Sequence, residues 1–130
     1  TLNREASHQM RKRGVHACTD VTGFGLVGHG LEMAKASGVT LEIELERLPI
    51  IEEAWEYAAM GLIPAMAYDN QECYRDSVEL NREPGDAEIF LYDPQTSGGL
   101  LIALPPDTAQ DFPWPCIGRV VEGAGKITLI

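Results

Sequence analysis

Asp20 stands just ahead of a glycine-rich turn in the run His16-Ala17-Cys18-Thr19-Asp20-Val21-Thr22-Gly23-Phe24-Gly25-Leu26-Val27-Gly28-His29. Glycine lets a backbone come close to a ligand, and a helix N-terminus favours an anion. A carboxylate beside an anion site is repulsive unless a divalent cation lies between them. The run therefore suggests a metal-bridged phosphate ligand. Mg²⁺ is the matching cation, because it is usually held by one or two carboxylates together with substrate phosphates and water. Asp20 also has a reading as a helix-capping residue, and Thr22 could cap as well. A single carboxylate does not complete a metal site, so further acids must come from elsewhere.

Other candidates are weaker. Gly23-Phe24-Gly25-Leu26-Val27-Gly28 matches the dinucleotide pattern G-x-G-x-x-G, with Glu46 eighteen residues after Gly28. Against it, Asp20-Val21-Thr22 intervene between strand and glycine, and an ionised Asp20 would face the pyrophosphate without a neutralising partner. His16 and His29 bracket the motif without zinc-ligand spacing. Cys18 reads as a small buried residue. Arg11, Lys12 and Arg13 fit compensation of a helix C-terminus. Thr96-Ser97-Gly98-Gly99 is a second donor-rich loop, able to cradle an anion or simply to turn the chain. No G-x-S-x-G elbow and no P-loop occur.

The elements that would position these residues can be read from periodicity. Leu2, Ala6 and Met10 recur at helical spacing up to Gly14, and Val15 to Cys18 reads as a short strand. Thr19 to Gly25 turns, and Phe24, Val27, Leu31 and Ala34 line a second helix closed by Gly38. From Val39 to Glu46 apolar and polar residues alternate, predicting a strand with one buried face. Ile51 to Met60 reads as a helix after Pro49, ended by Gly61. Ala67 to Val78 is polar and reads as loop then helix. Glu83 to Asp86 is a turn, and Glu88 to Tyr92 is either strand or short helix. The loop Asp93 to Gly99 leads into a strand from Leu100 to Leu104, ended by Pro105 and Pro106. Ile117 to Val121 and Lys126 to Ile130, joined by Glu122-Gly123-Ala124-Gly125, predict a closing hairpin. These elements imply an α/β domain of the α+β type, layered, with a mixed β-sheet flanked by helices.

At 130 residues the chain is one domain, with 45% hydrophobic and 23% charged residues. Ten basic against twenty acidic residues give a net charge of −10, which argues against nucleic acid and anionic membrane as partners. Cys18, Cys73 and Cys116 are odd in number and far apart, which disfavours a disulfide framework. No apolar run is long enough to span a membrane, and the start has no signal-peptide core. A cytoplasmic location is the expectation. The chain opens as if inside a helix and without Met, which suggests a piece of something longer.

The motif His16 to Gly25, followed by Gly28-His29, resembles the signature of the C-terminal domain of the selenophosphate synthetase (selenide, water dikinase) family. Gly61-Leu62-Ile63-Pro64-Ala65, Asp93-Pro94-Gln95-Thr96-Ser97-Gly98-Gly99-Leu100-Leu101 and Ile117-Gly118-Arg119-Val120-Val121-Glu122-Gly123 agree in the expected order. The resemblance implies ATP-dependent conversion of selenide and water to selenophosphate, AMP and orthophosphate. It implies the fold of the aminoimidazole ribonucleotide synthetase superfamily, with an N-terminal domain that forms a homodimer and a C-terminal α/β domain. It assigns Asp20 to the divalent metal that bridges the ATP phosphates, and Thr22, Gly23 and Gly25 to the wall of that site. The family's reactive Cys or selenocysteine, its Lys and its remaining metal-binding acids lie in the N-terminal domain, so no catalytic residue is expected in residues 1–130. Met66, Asp69, Gln71 and Cys73 depart from the commoner family residues, and residues 107–116 are shorter than the usual helical segment. Two other readings are another ATP-dependent enzyme of the superfamily and a relative that binds or assembles only. The Thr-Ser-Gly-Gly loop and the His16–His29 match disfavour the first.

Overall fold

The computed structural model describes residues 2–81 and 85–130. Helix α1 (Arg4–Arg11) leads to strand β1 (Ala17–Asp20), helix α2 (Gly25–Ser37) and strand β2 (Val39–Ile43). Helices α3 (Glu52–Ala59) and α4 (Ala65–Tyr74) and strand β3 (Val78–Leu80) follow. Strand β4 (Leu100–Ala103), helix α5 (Pro106–Ala109) and strands β5 (Gly118–Glu122) and β6 (Lys126–Leu129) complete the order. Short 3-10 helices occupy Leu45–Arg47, Arg75–Ser77 and Asp86–Leu91.

Two sheets share one core. Strands β1 and β4 form an antiparallel ribbon, and the larger sheet has the order β3-β6-β2-β5. In that sheet β6 runs parallel to both β2 and β3, while β5 runs antiparallel to β2. Helix α2 packs on both sheets. Its Val27, Leu31 and Ala34 are fully buried against Leu41, Ile43, Ile127 and Leu129. Gly30 sits where the sheets converge: a Cβ there would lie 3.2 Å from Ile127 and 3.5 Å from Leu101 and Leu41. The helix ends at Gly38, whose φ of 64° is the left-handed turn that glycine adopts without strain. The mixed, layered α/β expectation holds, with the strands divided between two sheets.

Several local expectations change. The hairpin does not form. Strand β2 lies between β5 and β6, and the glycine-rich connection passes over its start, with the Gly125 N–H donating to Val39 O at 2.9 Å. A side chain on Gly123 would collide with Thr40, so the crossing demands a bare backbone there. Strand β2 stops at Ile43, where the 3-10 helix delivers Leu45 to the core at 4% exposure. Strand β1 begins and ends two residues later than predicted, so Asp20 is its last residue. The ambiguous segment after Pro64 is helical from Ala65, and Glu88 to Tyr92 is mostly 3-10 helix. The second proline of Pro105-Pro106 starts α5, a position that tolerates its missing N–H. Residues 107–116 hold only that single helical turn. Half of the turn expected at Glu83–Asp86 falls outside the described residues, and Asp86 begins a 3-10 helix.

Candidate functional site

Two loops far apart in sequence meet at the end of the β1–β4 ribbon. Asp20 lies opposite Leu100 in the antiparallel register. Beyond that pair the chains stay bonded: the Val21 N–H donates to Gly99 O at 3.0 Å, and the Gly98 N–H donates to Val21 O at 3.1 Å. The Gln95 N–H then donates to Thr22 O at 3.0 Å. The Asp20 turn and the Gln95–Gly99 loop therefore form one continuous surface. A Cβ on Gly98 would overlap Gln95 and come within 2.7 Å of Val21 O, so glycine is what allows the two backbones to lie together.

The pleat of β1 alternates its side chains between faces. Ala17 and Thr19 are half-buried, whereas Cys18 and Asp20 are exposed on the other face. No side-chain hydrogen bond or ion pair engages the Asp20 carboxylate among the described residues, so both oxygens are free to take a cation. Cys18 contradicts the expectation of a buried residue: the ribbon has a wet outer face, and alternation puts Cys18 on it. Partial burial and the neighbouring Asp20 charge both push its thiol up, which disfavours the nucleophilic thiolate.

Neither Asp20 nor Thr22 caps α2. The N-cap residue is Phe24, and no side chain bonds the helix start. Thr22 instead places Oγ1 3.0 Å from His29 Nε2, within hydrogen-bonding distance, and His29 Nδ1 lies 3.3 Å from Glu32 Oε2. His29, 9% exposed, thus holds the turn onto α2 from behind. His16 contributes its backbone N–H to Ala103 O at 2.9 Å and exposes its side chain. Arg13 folds back onto Gln9 and lies over the Phe112 ring at 5.4 Å, a structural role.

The glycines of the G-x-G-x-x-G run divide by role. Gly25 has φ 69°, and a Cβ there would lie 2.8 Å from Leu91 O and Tyr92 C. A Cβ on Gly28 would press on Phe24 and on the Tyr74 ring. A Cβ on Gly23 would meet nothing within 4 Å. The dinucleotide reading also fails topologically, since β1 and β2 belong to different sheets and form no βαβ unit. Among the described residues no three His, Cys, Asp or Glu side chains gather as a metal cluster. Asp20 fits Mg²⁺ as one ligand of a set that phosphates, water and other acids must complete.

Sequence reasoning missed Asn70. It is 6% exposed in α4, and its Nδ2 donates to Gly23 O and Tyr92 O, each at 2.9 Å. The available signal was its spacing, since Ala67, Asn70 and Tyr74 recur at i, i+3 and i+7 and form the inward stripe of α4. Asp93 was legible only as part of a loop. It lines a groove with Tyr57, Ile63, Pro64 and Phe90, and burial pushes its carboxyl above the usual range.

Residues 1–128 match the family described as AIR synthase related protein, C-terminal domain. The chain belongs to that family. This AIR synthase C-terminal domain is 48% identical over 111 residues to a selenide, water dikinase of Caldanaerobacter subterraneus subsp. tengcongensis, covering 85% of the chain and 32% of the relative. It is 51% identical over 115 residues to a selenide, water dikinase of Clostridioides difficile, covering 85% and 32%. The domain thus spans about a third of the length of these relatives. Among solved structures it superposes on AaThiL complexed with AMPPCP and TMP with a TM-score of 0.63 and 24% identity, covering 99% of this chain and 34% of the other. Thiamine monophosphate kinase from Aquifex aeolicus gives 0.59 and 21%, covering 99% and 36%. These two structures establish the fold. No helix among the described residues is long and apolar enough to cross a membrane.

Proposed function

We propose that this domain is the C-terminal part of a selenide, water dikinase, a cytoplasmic phosphotransferase that converts ATP, selenide and water to selenophosphate, AMP and orthophosphate. The observation that carries the reading is the exposed Asp20 carboxylate, unpaired among the described residues, at the seam of two loops, each of which matches a long motif of that family. Names of relatives at 48% and 51% identity support the same assignment. Asp20 acts as one ligand for Mg²⁺, alongside acids of an N-terminal domain that also supplies the reactive residue and the homodimer contact. Bound there, the ion would neutralise charge on the phosphoryl oxygens, which in-line attack on a triphosphate requires.

The chain's own residues orient that carboxylate. β1 carries it to the ribbon end, and Thr22, tied to His29, fixes the turn behind it. Gly23 leaves room above the turn, and Gly25 lets the turn pack down on Leu91 and Tyr92. Thr96 and Ser97 expose hydroxyls on the adjoining loop, where they can donate to phosphate oxygens. The test is Asp20→Asn in the full-length protein: ATP turnover is lost while folding is retained. Unchanged turnover with unchanged metal dependence would remove Asp20 from the site.

A further inference from the structure

We propose that Asn70 is the positioning residue of this site: its side-chain amide is the joint that holds the Asp20 turn and the Asp93–Gly99 loop in one arrangement. The inference rests on the reading of Asp20 as a metal ligand. A primary amide has two N–H donors. Asn70 spends them on two carbonyls from different segments, Gly23 O in the turn after Asp20 and Tyr92 O just before the second loop, each at 2.9 Å. The opposite orientation would aim its oxygen at both carbonyls, so the surroundings dictate which atom is nitrogen.

The position of the joint matters more than its strength. Asn70 itself is nearly inaccessible, at 6% exposure. Direct bonds between the loops run from Gln95 to Thr22, Gly98 to Val21 and Val21 to Gly99 and do not involve Asn70. Those bonds align the two backbones with each other. Asn70 fixes the pair to α4, and through Ala67 and Tyr74 to the body of the domain. Without it two carbonyls lose their donors, and the loops are held by their mutual bonds, the Thr22–His29 contact and the packing of Gly25 on Leu91 and Tyr92. The bonds between the turn and the loop could then open more often while the core stayed intact. Asn70 touches no substrate in this scheme. It acts through Gly23 and Tyr92.

The experiment is site-resolved amide hydrogen exchange on the chain, with Asn70→Asp as the isosteric variant lacking N–H donors and Asn70→Leu as an apolar one of similar size. The Gly25, Gln95 and Gly98 amides should exchange about tenfold faster or more, the cost expected for unpaired buried carbonyls. Amides of the β2–β6 ladder should keep their wild-type rates. In the longer protein, Mn²⁺-dependent affinity for a non-hydrolysable ATP analogue should fall by a similar factor. Unchanged loop exchange, or uniform acceleration throughout the sheet, would overturn the proposal, as would loosened loops with unaltered affinity.

Should both variants fail to fold, wild-type exchange still decides. The Asn70 side-chain protons and the three loop amides should open with one common rate constant, and independent openings would overturn the joint. Asp20→Asn serves as the separate control. If it leaves metal-dependent affinity untouched, the Asp20 reading fails alone, and the exchange pattern still decides whether Asn70 holds the loops.

Discussion

Asp20 faces Leu100 across the last rung of the β1–β4 ribbon. That pairing sets where the two loops of the site begin. The strands diverge there into two loops, but the Val21 N–H donates to Gly99 O, and Val21 O and Thr22 O accept from the Gly98 and Gln95 N–H groups, which keeps the loops in contact. The carboxylate is therefore the last strand side chain on the wet face, fixed by sheet geometry, with loop donors directly beyond it.

Asp20→Asn should accordingly separate binding from folding. The side chain is exposed and makes no bond to the described residues, so stability should stay within about 0.5 kcal/mol of wild type. Metal-dependent nucleotide affinity of the longer protein should fall at least about tenfold, since even outer-shell partners of metal ligands carry that much. Calorimetric titration with Mg²⁺ and a non-hydrolysable ATP analogue, paired with a thermal melt, reads both quantities.

Gly25 and Gly23 should respond oppositely to alanine. Gly25→Ala forces a side chain into a positive φ and against the Leu91 and Tyr92 backbone at 2.8 Å. The combined strain and overpacking should cost about 2–4 kcal/mol. Gly23→Ala meets open space and should change stability by less than about 0.5 kcal/mol. If Gly23 forms part of the site wall, as the family resemblance implies, the same change weakens nucleotide affinity. Urea unfolding of the two variants, followed by nucleotide titration of Gly23→Ala, checks the contrast.

These residues also show what the sequence made legible. Asp20 and the two loops could be picked out because their chemistry is local: a lone acid, glycines at turn spacing, a donor-rich segment. The strands and helices from Val39, Leu100 and Gly25 onward were readable from short-range periodicity. The β5–β6 connection was not, because a short glycine linker suits a hairpin equally well, and only long-range pairing inserts β2 between the strands. Cys18 was misjudged for a related reason. Its strand belongs to a ribbon with one open face, which no local pattern announces. Asn70 stayed hidden because a buried amide looks like any polar helix residue until its two carbonyl partners, Gly23 and Tyr92, are brought to it by the fold.

Tyr92 predicts an alkaline limit to stability. Burial first, then the neighbouring Glu88, pushes its phenol from 10.0 up to about 12. Above pH 10 the unfolded chain releases this proton while the native chain keeps it, so the native state binds more protons and stability falls as pH rises. The contribution is complete below pH 10 and lost through about pH 12. Tyr92→Phe should flatten this part of the profile, measured as urea midpoints between pH 9 and about 12.

Asp93 predicts a change of the same sign in the acid range. Burial alone raises its carboxyl above 3.8, and no hydrogen bond or ion pair among the described residues offsets the cost of its charge. Near its ordinary pKa the unfolded chain gives up this proton first, so ionisation of Asp93 lowers stability as pH rises through the carboxylate range. At neutral pH the full penalty is present. Asp93→Asn removes the charge, so the variant should melt higher than wild type at pH 7, and the difference should disappear below pH 3.8, where wild-type Asp93 is protonated in both states. Paired thermal melts of the variant and wild type across that pH range read the sign directly.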